Sequence, residues 1–250
     1  MPNVSGNQKK IIKMRLIFLT LLAFLILINI SGQKTELNIS LNSGLYSYSG
    51  ISAQSATSIN YNDQTKSGYT NNSYGSKDGI CYGLSLNIKR VTTRNFILGL
   101  AIGYESLRSK VSIDRIDGYN GTSTYQYGAT GHTFLNNDNL NLNPFLGYRI
   151  NVKAISFDLS GGFDIAYILK STENGNATAT NGIKYSTTLD KTDRSFDFRP
   201  RIQFSADYKR YGLYVGYSYG LINYMMWAKG DAVFEVYSRL FRFGVTYEIN

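Results

Sequence analysis

Polar and apolar positions alternate with a period of two along eight separate segments of this chain. In the last segment, RLFRFGVTYEIN, aromatic and aliphatic side chains occupy one face, and the other face carries Leu240, Arg242, Gly244, Thr246 and Glu248. A period of two is typical of a β-strand with two unlike faces. The predicted strands are Leu37–Tyr48, Ile80–Lys89, Asn95–Leu107, Leu140–Ile150, Ile155–Leu169, Ser195–Tyr208, Gly212–Ile222 and Arg239–Asn250.

Long polar connections alternate with short ones between these segments. The first, third and fifth connections are long and rich in Asn, Ser, Thr and Gly. The second, fourth and sixth connections are short: RVTTR, NVKA and KRY. Long loops on one side and tight turns on the other indicate an up-and-down meander. We expect the outer parts of the long loops to extend the strands beyond the barrel wall, and both chain ends to lie on the short-turn side.

Side-chain size decides which face is inside. One face carries Phe, Tyr, Leu and Ile, and the other mostly Gly, Ser, Asn and Ala with single charges. Because an eight-stranded barrel is only wide enough to be filled by side chains, the bulky set would overfill it. A continuous apolar outer wall is compatible with lipid. We therefore predict an all-β fold: an eight-stranded antiparallel up-and-down transmembrane β-barrel.

Aromatic residues near both ends of the segments predict two interfacial girdles. The short-turn girdle comprises Phe96, Tyr148, Phe157, Tyr208 and Tyr247, and the long-loop girdle Tyr46, Tyr104, Tyr167, Phe196 and Tyr237. Pairing of the last strand with the first, near Leu37, would leave no open edge in the bilayer. Pro144 lacks a ladder N–H, so we expect a bulge or a local gap there.

The N-terminus carries much of the formal net charge of +9. The basic stretch KKIIKMR leads into the apolar run Leu16–Ile30, which is shorter than the ~20 residues of a membrane-spanning helix. We predict a signal peptide over residues 1–32 and a barrel domain over residues 33–250, with a retained anchor as the alternative. The remaining basic residues are dispersed, which argues against nucleic acid as a partner.

Charged residues on the predicted inner face leave two interpretations open. They are Glu105, Arg149, Asp158, Asp164, Asp197, Arg199, Arg201, Asp207, Arg242 and Glu248. A network of ion pairs would plug the lumen, because unpaired buried charges are costly. The alternative is a charged path for a small solute, although eight strands leave little room for it.

The sequence gives no catalytic, cofactor-binding or metal-binding residues. The only histidine, His132, lies in a long connection with no partner fixed for catalysis, and the lone Cys81 is interpreted as a packing residue. Six tyrosines in the long loops predict either a recognition surface or a cover for the barrel mouth: Tyr61, Tyr69, Tyr74, Tyr119, Tyr125 and Tyr127. The short turns carry cations that we expect to reach the headgroup layer: Lys89, Arg90, Arg94, Lys153, Lys209 and Arg210.

Three stretches carry a resemblance to known proteins. RFGVTYEI resembles the C-terminal β-signal read by the outer-membrane assembly machinery, with Arg242, Gly244, Tyr247 and Ile249 in the matching positions and Asn250 as a departure. LNLNPFLGYRI and YSYGLINYM resemble the Pro-containing and penultimate strands of the PorT-like outer-membrane β-barrel family of Bacteroidota. The resemblance covers residues 33–250 and implies fold and location more than activity.

These observations predict a non-enzymatic protein of the outer membrane of a Gram-negative cell, with both mature termini in the periplasm. Its expected role is structural, anchoring or surface-interacting, through four extracellular loops. A component of a secretion or assembly apparatus, as the PorT-like resemblance implies, and a narrow porin-like solute channel are the alternatives. Expected partners are outer-membrane lipid and lipopolysaccharide, the assembly machinery acting on the C-terminal strand, and secretion-apparatus proteins.

Overall fold

The computed structural model describes residues 33–191, 194–225 and 233–250, and the compact unit Lys34–Asn250 contains its strands. The predicted signal peptide, residues 1–32, lies outside the described residues. In the described ranges, no helix is long and apolar enough to cross a membrane. The strands are β1 (Lys34–Ser49), β2 (Ala56–Asn62), β3 (Ser67–Thr70), β4 (Lys77–Val91), β5 (Phe96–Tyr119), β6 (Thr124–Val152), β7 (Ile155–Ala179), β8 (Lys184–Asp190), β9 (Phe196–Tyr208), β10 (Tyr211–Tyr219) and β11 (Tyr237–Glu248).

Eight of these strands pair into a closed ring. Its order is β1, β4, β5, β6, β7, β9, β10 and β11, and every neighbouring pair in it is antiparallel. The last strand closes on the first, with Asn38 opposite Glu248 and Ser49 opposite Tyr237. The predicted ring of eight strands and its closure between the two chain ends are confirmed.

The two faces of the ring have the predicted character. Leu41 is 57% exposed and Phe243 is 49% exposed, whereas Leu240 and Arg242 on the opposite face are 0% exposed. In β5, the outward apolar side chains run from Phe96 to Tyr104. That length agrees with the ~9–11 residues that a tilted strand needs to cross a bilayer. The bulky side chains therefore form the outer wall, as their size predicts.

Tyr46 is an exception to the predicted girdles. Its side chain is 0% exposed and packs inside the ring against Tyr48, at a ring-centroid distance of 5.3 Å. The prediction for Tyr46 was wrong because this residue follows the outward-facing Leu45, and successive side chains of a strand point to opposite faces. Of the other long-loop members, Tyr104, Tyr167 and Phe196 are exposed and Tyr237 is half-buried.

Beyond the apolar wall the sheet continues into a folded extension, which we call the turret. It consists of β2, β3, β8 and the outer parts of β5, β6 and β7. β2 pairs parallel with β5, β3 pairs with β2, and β8 pairs with β7. The predicted extension of the strands is confirmed, but these three shorter strands lie in stretches that we interpreted as loops.

The predicted irregularity at Pro144 takes the form of a gap. In the β6–β7 ladder, Leu142 pairs with Ile165 and Phe145 with Gly162, and the two intervening residues have no partner there. The register is the same on both sides of the gap. On the other edge Pro144 remains opposite Leu100, so the missing N–H interrupts one ladder only.

Candidate functional site: the filled lumen and the turret

A central cluster of six charges fills the middle of the ring. Arg242 on β11 donates hydrogen bonds to both carboxylate oxygens of Glu105, at 2.8 and 3.0 Å, and its Nη1 donates to Ser218 Oγ at 2.7 Å. Its Nη2 also lies 2.7 Å from Asp164 Oδ2. Such two-pronged contacts are the strongest arginine–carboxylate geometry. Arg242 therefore links three different strands across the lumen.

The rest of the central cluster balances these charges. Arg199 Nη2 lies 3.3 Å from Glu105 Oε2, and Arg201 Nη1 lies 3.4 Å from Asp164 Oδ1. Asp197 accepts a 2.7 Å hydrogen bond from Ser238 and lies 3.6 Å from Arg199 Nη1. Three carboxylates thus face three guanidinium groups, and each charge has an oppositely charged neighbour. The arrangement fits the plug interpretation of the inner charges.

A second cluster lies nearer the short-turn end. Arg149 contacts Glu36 at 2.7 Å and Asp158 at 2.6 Å. Lys89 Nζ lies 2.8 Å from Asp158 and 2.9 Å from Asp207. We call these five residues the lower cluster; on its rim Lys34 also contacts Glu36, at 3.2 Å, and Glu248, at 2.7 Å.

The structure corrects the sequence prediction for Lys89. This residue was expected in a short turn with its amine in the headgroup layer, but β4 continues to Val91 and its side chain is directed into the lumen. Glu36 was missed because the first predicted strand began one residue later, at Leu37. Continuing the alternation from Asn38 and Asn87 would have placed both side chains inside.

A small space separates the two clusters. It has a volume of about 50 Å³ and polar lining from residues such as Asn38, Asn143 and Gln203. A buried water needs at least ~10–15 Å³ of such space and two to four polar partners. The space is therefore large enough for a few waters but not for a solute.

Four tyrosines close the lumen at the long-loop end. Tyr48 packs edge-on against Tyr46, Tyr74 and Tyr224, at ring-centroid distances of 5.3, 5.2 and 5.1 Å. The hydroxyl of Tyr48 accepts a 2.8 Å hydrogen bond from Asn137 Nδ2. Edge-to-face packing is favourable for aromatic rings. We call this group the tyrosine lid.

A cleft of about 1000 Å³ opens at the far end of the turret. Its aromatic lining is Tyr61, Tyr69, Tyr119 and Tyr125, and its polar lining includes Asn60, Asn62, Thr65, Asp117 and Gln126. Tyr125 donates a 2.9 Å hydrogen bond to Asp63. Burial, together with hydrogen bonding to Tyr185 and Asp63, raises the pKa of Tyr125, so its hydroxyl remains protonated.

Asp117 is the ionised group of the cleft. Burial acts to raise the pKa of this carboxyl, but hydrogen bonds from Arg115 and Ser58 outweigh it, and the pKa is lowered. Arg115 Nε lies 2.8 Å from Asp117 Oδ1. The charge of Asp117 is therefore compensated within the turret, and the cleft offers rings, amides and hydroxyls to a ligand.

The six loop tyrosines divide between the two predicted roles. Tyr74 belongs to the tyrosine lid, as the cover interpretation expects. Tyr61, Tyr69, Tyr119 and Tyr125 line the cleft, as the recognition interpretation expects. The ring of Tyr127 lies 5.0 Å from that of Tyr125, and its side chain is exposed.

The other candidate residues occupy simple environments. The ring of His132 packs at 4.8 Å against Phe134 on the outer face of β6. Cys81 is buried in the wall beneath the tyrosine lid. Lys153 and Lys209 open two-residue turns with positive φ, as mirror-image hairpin turns require. Across the described ranges, no group of three or more His, Cys, Asp or Glu side chains is arranged to hold a metal ion.

Comparison with known families now identifies the fold. The family model described as "Outer membrane protein beta-barrel domain" matches residues 22–225. The chain belongs to this family. It is an outer-membrane β-barrel protein, and the apolar outer wall is the surface that faces lipid. No curated protein sequence matches the chain.

The similarity to solved structures is low. Ail, the attachment invasion locus protein of Yersinia pestis, solved with the heparin analogue sucrose octasulfate, is 12% identical, with a TM-score of 0.36 over 86% of this chain and 99% of that one. Neisserial surface protein A is 10% identical, with a TM-score of 0.36 and the same coverages. A Pseudomonas aeruginosa FadL homologue is 8% identical, with a TM-score of 0.21 over 88% and 91%. At these values the likeness carries no functional argument.

Proposed function

We propose that this protein is a non-conducting outer-membrane barrel that presents the turret at the cell surface as an interaction module. The filling of the lumen supports this role. The lower cluster, the central cluster and the tyrosine lid follow one another along the barrel axis, and each crosses from one wall to another. A channel would need a continuous open path, which the packed side chains of these three layers block.

The two ends of the barrel support the orientation that we propose. Lys34 and Glu248 lie beside each other, at the end where the ring strands are joined by short turns. Outer-membrane barrels have short periplasmic turns and long extracellular loops. We therefore place both mature termini in the periplasm, after removal of the signal peptide, and the turret outside.

The C-terminal strand is the proposed contact for the assembly machinery. β11 closes the ring, and Asn250 continues the closure: its Oδ1 accepts a 2.8 Å hydrogen bond from Leu37 N, and its Nδ2 donates to Thr35 O at 3.0 Å. The departure of Asn250 from the β-signal pattern thus has a structural use. The residue pairs with the edge of β1 through its side chain.

The cleft is the proposed recognition surface. Tyrosine provides a large contact area with a polar tip at a low cost in conformational entropy, and amides supply adaptable hydrogen bonds. The turret holds these groups on strands instead of flexible loops. A pre-organised surface of this kind loses less entropy on binding than a flexible loop does.

Conductance tests the plugged lumen. Purified, folded protein in planar bilayers should show no discrete steps, whereas a variant that truncates three of the six residues of the central cluster, Arg242→Ala with Glu105→Ala and Asp164→Ala, should leak. Discrete steps from the wild type would contradict the proposal and favour the narrow channel.

Mild crosslinking in cells tests the interaction role. Proteins or surface polymers captured by the wild type should be lost from Tyr69→Ala/Tyr119→Ala and retained by a control altered on the lipid-facing wall, Tyr208→Ala. A fixed set of periplasmic companions, together with loss of protein export in a deletion strain, would favour the PorT-like secretion role instead. Retention of all captured molecules by the cleft variant would remove the cleft from the proposal.

A further inference from the structure

The outer face of the turret carries a group of cations directly above the lipid-facing wall. Lys77 on β4 and Lys110 on β5 are opposite each other in the ladder, and both side chains lie on the outer face. Arg108 lies on the same face of β5. We call these three residues, with Phe134 of β6 between the last two, the basic collar.

The charges of the collar are uncompensated. Among the described residues, none of the three cations forms an ion pair, and Lys77 Nζ contacts only the hydroxyl of Ser112, at 2.6 Å. Like charges directly opposite each other in a ladder are destabilising. The charges inside the barrel are paired, so this accumulation on the outside is a feature that the fold itself does not explain.

Nearby acids do not neutralise the collar. Asp138, one row closer to the membrane, is opposite Lys170 in the β6–β7 ladder. Asp78 follows Lys77 in sequence and is exposed, but it is opposite Ser109 in the ladder and forms no ion pair with the three cations. The collar therefore remains a site of net positive charge.

An aromatic ring holds the collar in shape. The guanidinium carbon of Arg108 lies 5.2 Å from the centroid of the Phe134 ring, and Lys110 Nζ lies 5.9 Å from it. Arg108 Nε also donates a 2.7 Å hydrogen bond to Asn136. Cation–π contacts of this kind orient the two side chains and leave donors free for an anion.

The height of the collar points to its ligand. Arg108 lies four residues beyond Tyr104, the last aromatic in the lipid-facing part of β5, which is about 13 Å along the strand at ~3.3 Å per residue. With a strand tilt of about 40°, Arg108 lies about 10 Å above Tyr104. On the neighbouring strand β4 the exposed wall reaches Ile80, three residues from Lys77, so the collar borders the upper edge of the wall. This level corresponds to the outer headgroups, whose phosphates are anionic acceptors for Arg and Lys.

We infer that the basic collar binds the phosphorylated headgroup of a lipid in the outer leaflet, of the lipid A type. The inference rests on the proposed orientation of the barrel. Bound phosphate would supply the negative charge that Lys77, Arg108 and Lys110 lack. It would also anchor the turret on one side, so that the cleft is held at a fixed angle to the membrane.

The test uses the folded full-length barrel in detergent micelles. Binding of bisphosphorylated lipid A and of dephosphorylated lipid A is measured by native mass spectrometry. The wild type should retain the bisphosphorylated form preferentially. Arg108→Gln/Lys110→Gln should bind it about 25-fold more weakly, because each basic residue at an anionic membrane surface contributes roughly a factor of five.

A matched control removes two exposed cations elsewhere. Arg94→Gln/Lys184→Gln lowers the net charge by the same amount as the collar variant. Arg94 lies in a short turn and Lys184 at the turret tip, so the lipid A binding of this control should equal that of the wild type. Equal binding of both lipids, equal loss in both double variants, or displacement of lipid A by a free sulfated polysaccharide would each overturn the inference. Gel mobility before and after boiling reports the barrel separately: a chain that forms no heat-modifiable barrel contradicts the proposed function, whereas a folded barrel without lipid preference contradicts only the collar.

Discussion

Removal of Arg242 tests whether the central cluster is a desolvated plug. Arg242 is fully buried and contacts Glu105, Asp164 and Ser218 at 2.7–3.0 Å. In Arg242→Met, Glu105 retains Arg199 at 3.3 Å, and Asp164 retains its longer contacts with Arg199 and Arg201, at 3.8 and 3.4 Å. Breaking a buried pair by removing one partner costs about 3–5 kcal/mol, because a charge is left uncompensated.

A double-mutant cycle separates pairing from packing. Glu105→Gln alone leaves one excess positive charge, and Arg242→Met alone leaves one excess negative charge. The double variant is neutral again, with two carboxylates and two guanidinium groups in the cluster. Its loss of stability should therefore be at least about 2 kcal/mol smaller than the sum of the two single losses.

The assay is urea unfolding of the barrel in micelles, followed by the mobility of unboiled samples on gels, which separates folded from unfolded chains. The free energy of unfolding comes from the midpoint and slope. A loss below about 1 kcal/mol for Arg242→Met, in the range of exposed ion pairs, would show that water reaches the cluster. Additive losses in the cycle would show that Glu105 and Arg242 act independently, and both results would refute the plug.

Three further predictions concern the wall and its closure. Gly99→Ala would place a Cβ into the ring of Phe145 on the neighbouring strand and should lower the free energy of unfolding by about 1–3 kcal/mol in the same assay. Gly161→Ala should cost less, because a Cβ there meets no atom closer than van der Waals contact. Equal unfolding midpoints for the two variants would contradict this prediction. Deletion of Asn250 should lower the free energy of unfolding by about 1 kcal/mol without preventing barrel formation, and failure to form the heat-modifiable species would contradict it. Cys81 should resist a maleimide reagent until urea unfolds the barrel, and rapid labelling of the folded protein would place the thiol in an open lumen.

The ring could be predicted because successive side chains of a membrane-spanning strand face lipid and lumen in turn. An outward Leu41 and an inward Asn42 meet different surroundings, and this contrast recurs through all eight strands. Side-chain size then showed which face of each strand is outside and which is inside, without any knowledge of strand pairing. Even the gap at Pro144 followed from its missing N–H, because a ladder position without a donor has a local consequence.

The turret strands could not be predicted in the same way. The buried apolar cluster of the turret takes only Ile59 from β2 and Tyr185 from β8 as buried members, so the sequences of these strands, ATSINYN and KYSTTLD, carry little hydrophobic alternation. The parallel pairing of β2 with β5 joins segments far apart in sequence, from Ala56 opposite Ser112 to Asn62 opposite Tyr119. Local propensity does not determine such a non-local contact. The cleft depends on these strands, and the tyrosines alone left its existence open.

The treatment of charge differs sharply between the inside and the outside of the barrel. Sequence reasoning identified the ten inner charges from parity but missed Glu36 and Lys89, which complete the pairing around Arg149. Once these two and Lys34 on the rim are included, each inner charge has an opposite charge beside it, as burial requires. An exposed surface imposes no such requirement, because water screens single cations. Clustering of Arg108 with the two opposed lysines therefore needs its own reason, and an anionic headgroup at the same height provides one that pairing within the chain does not.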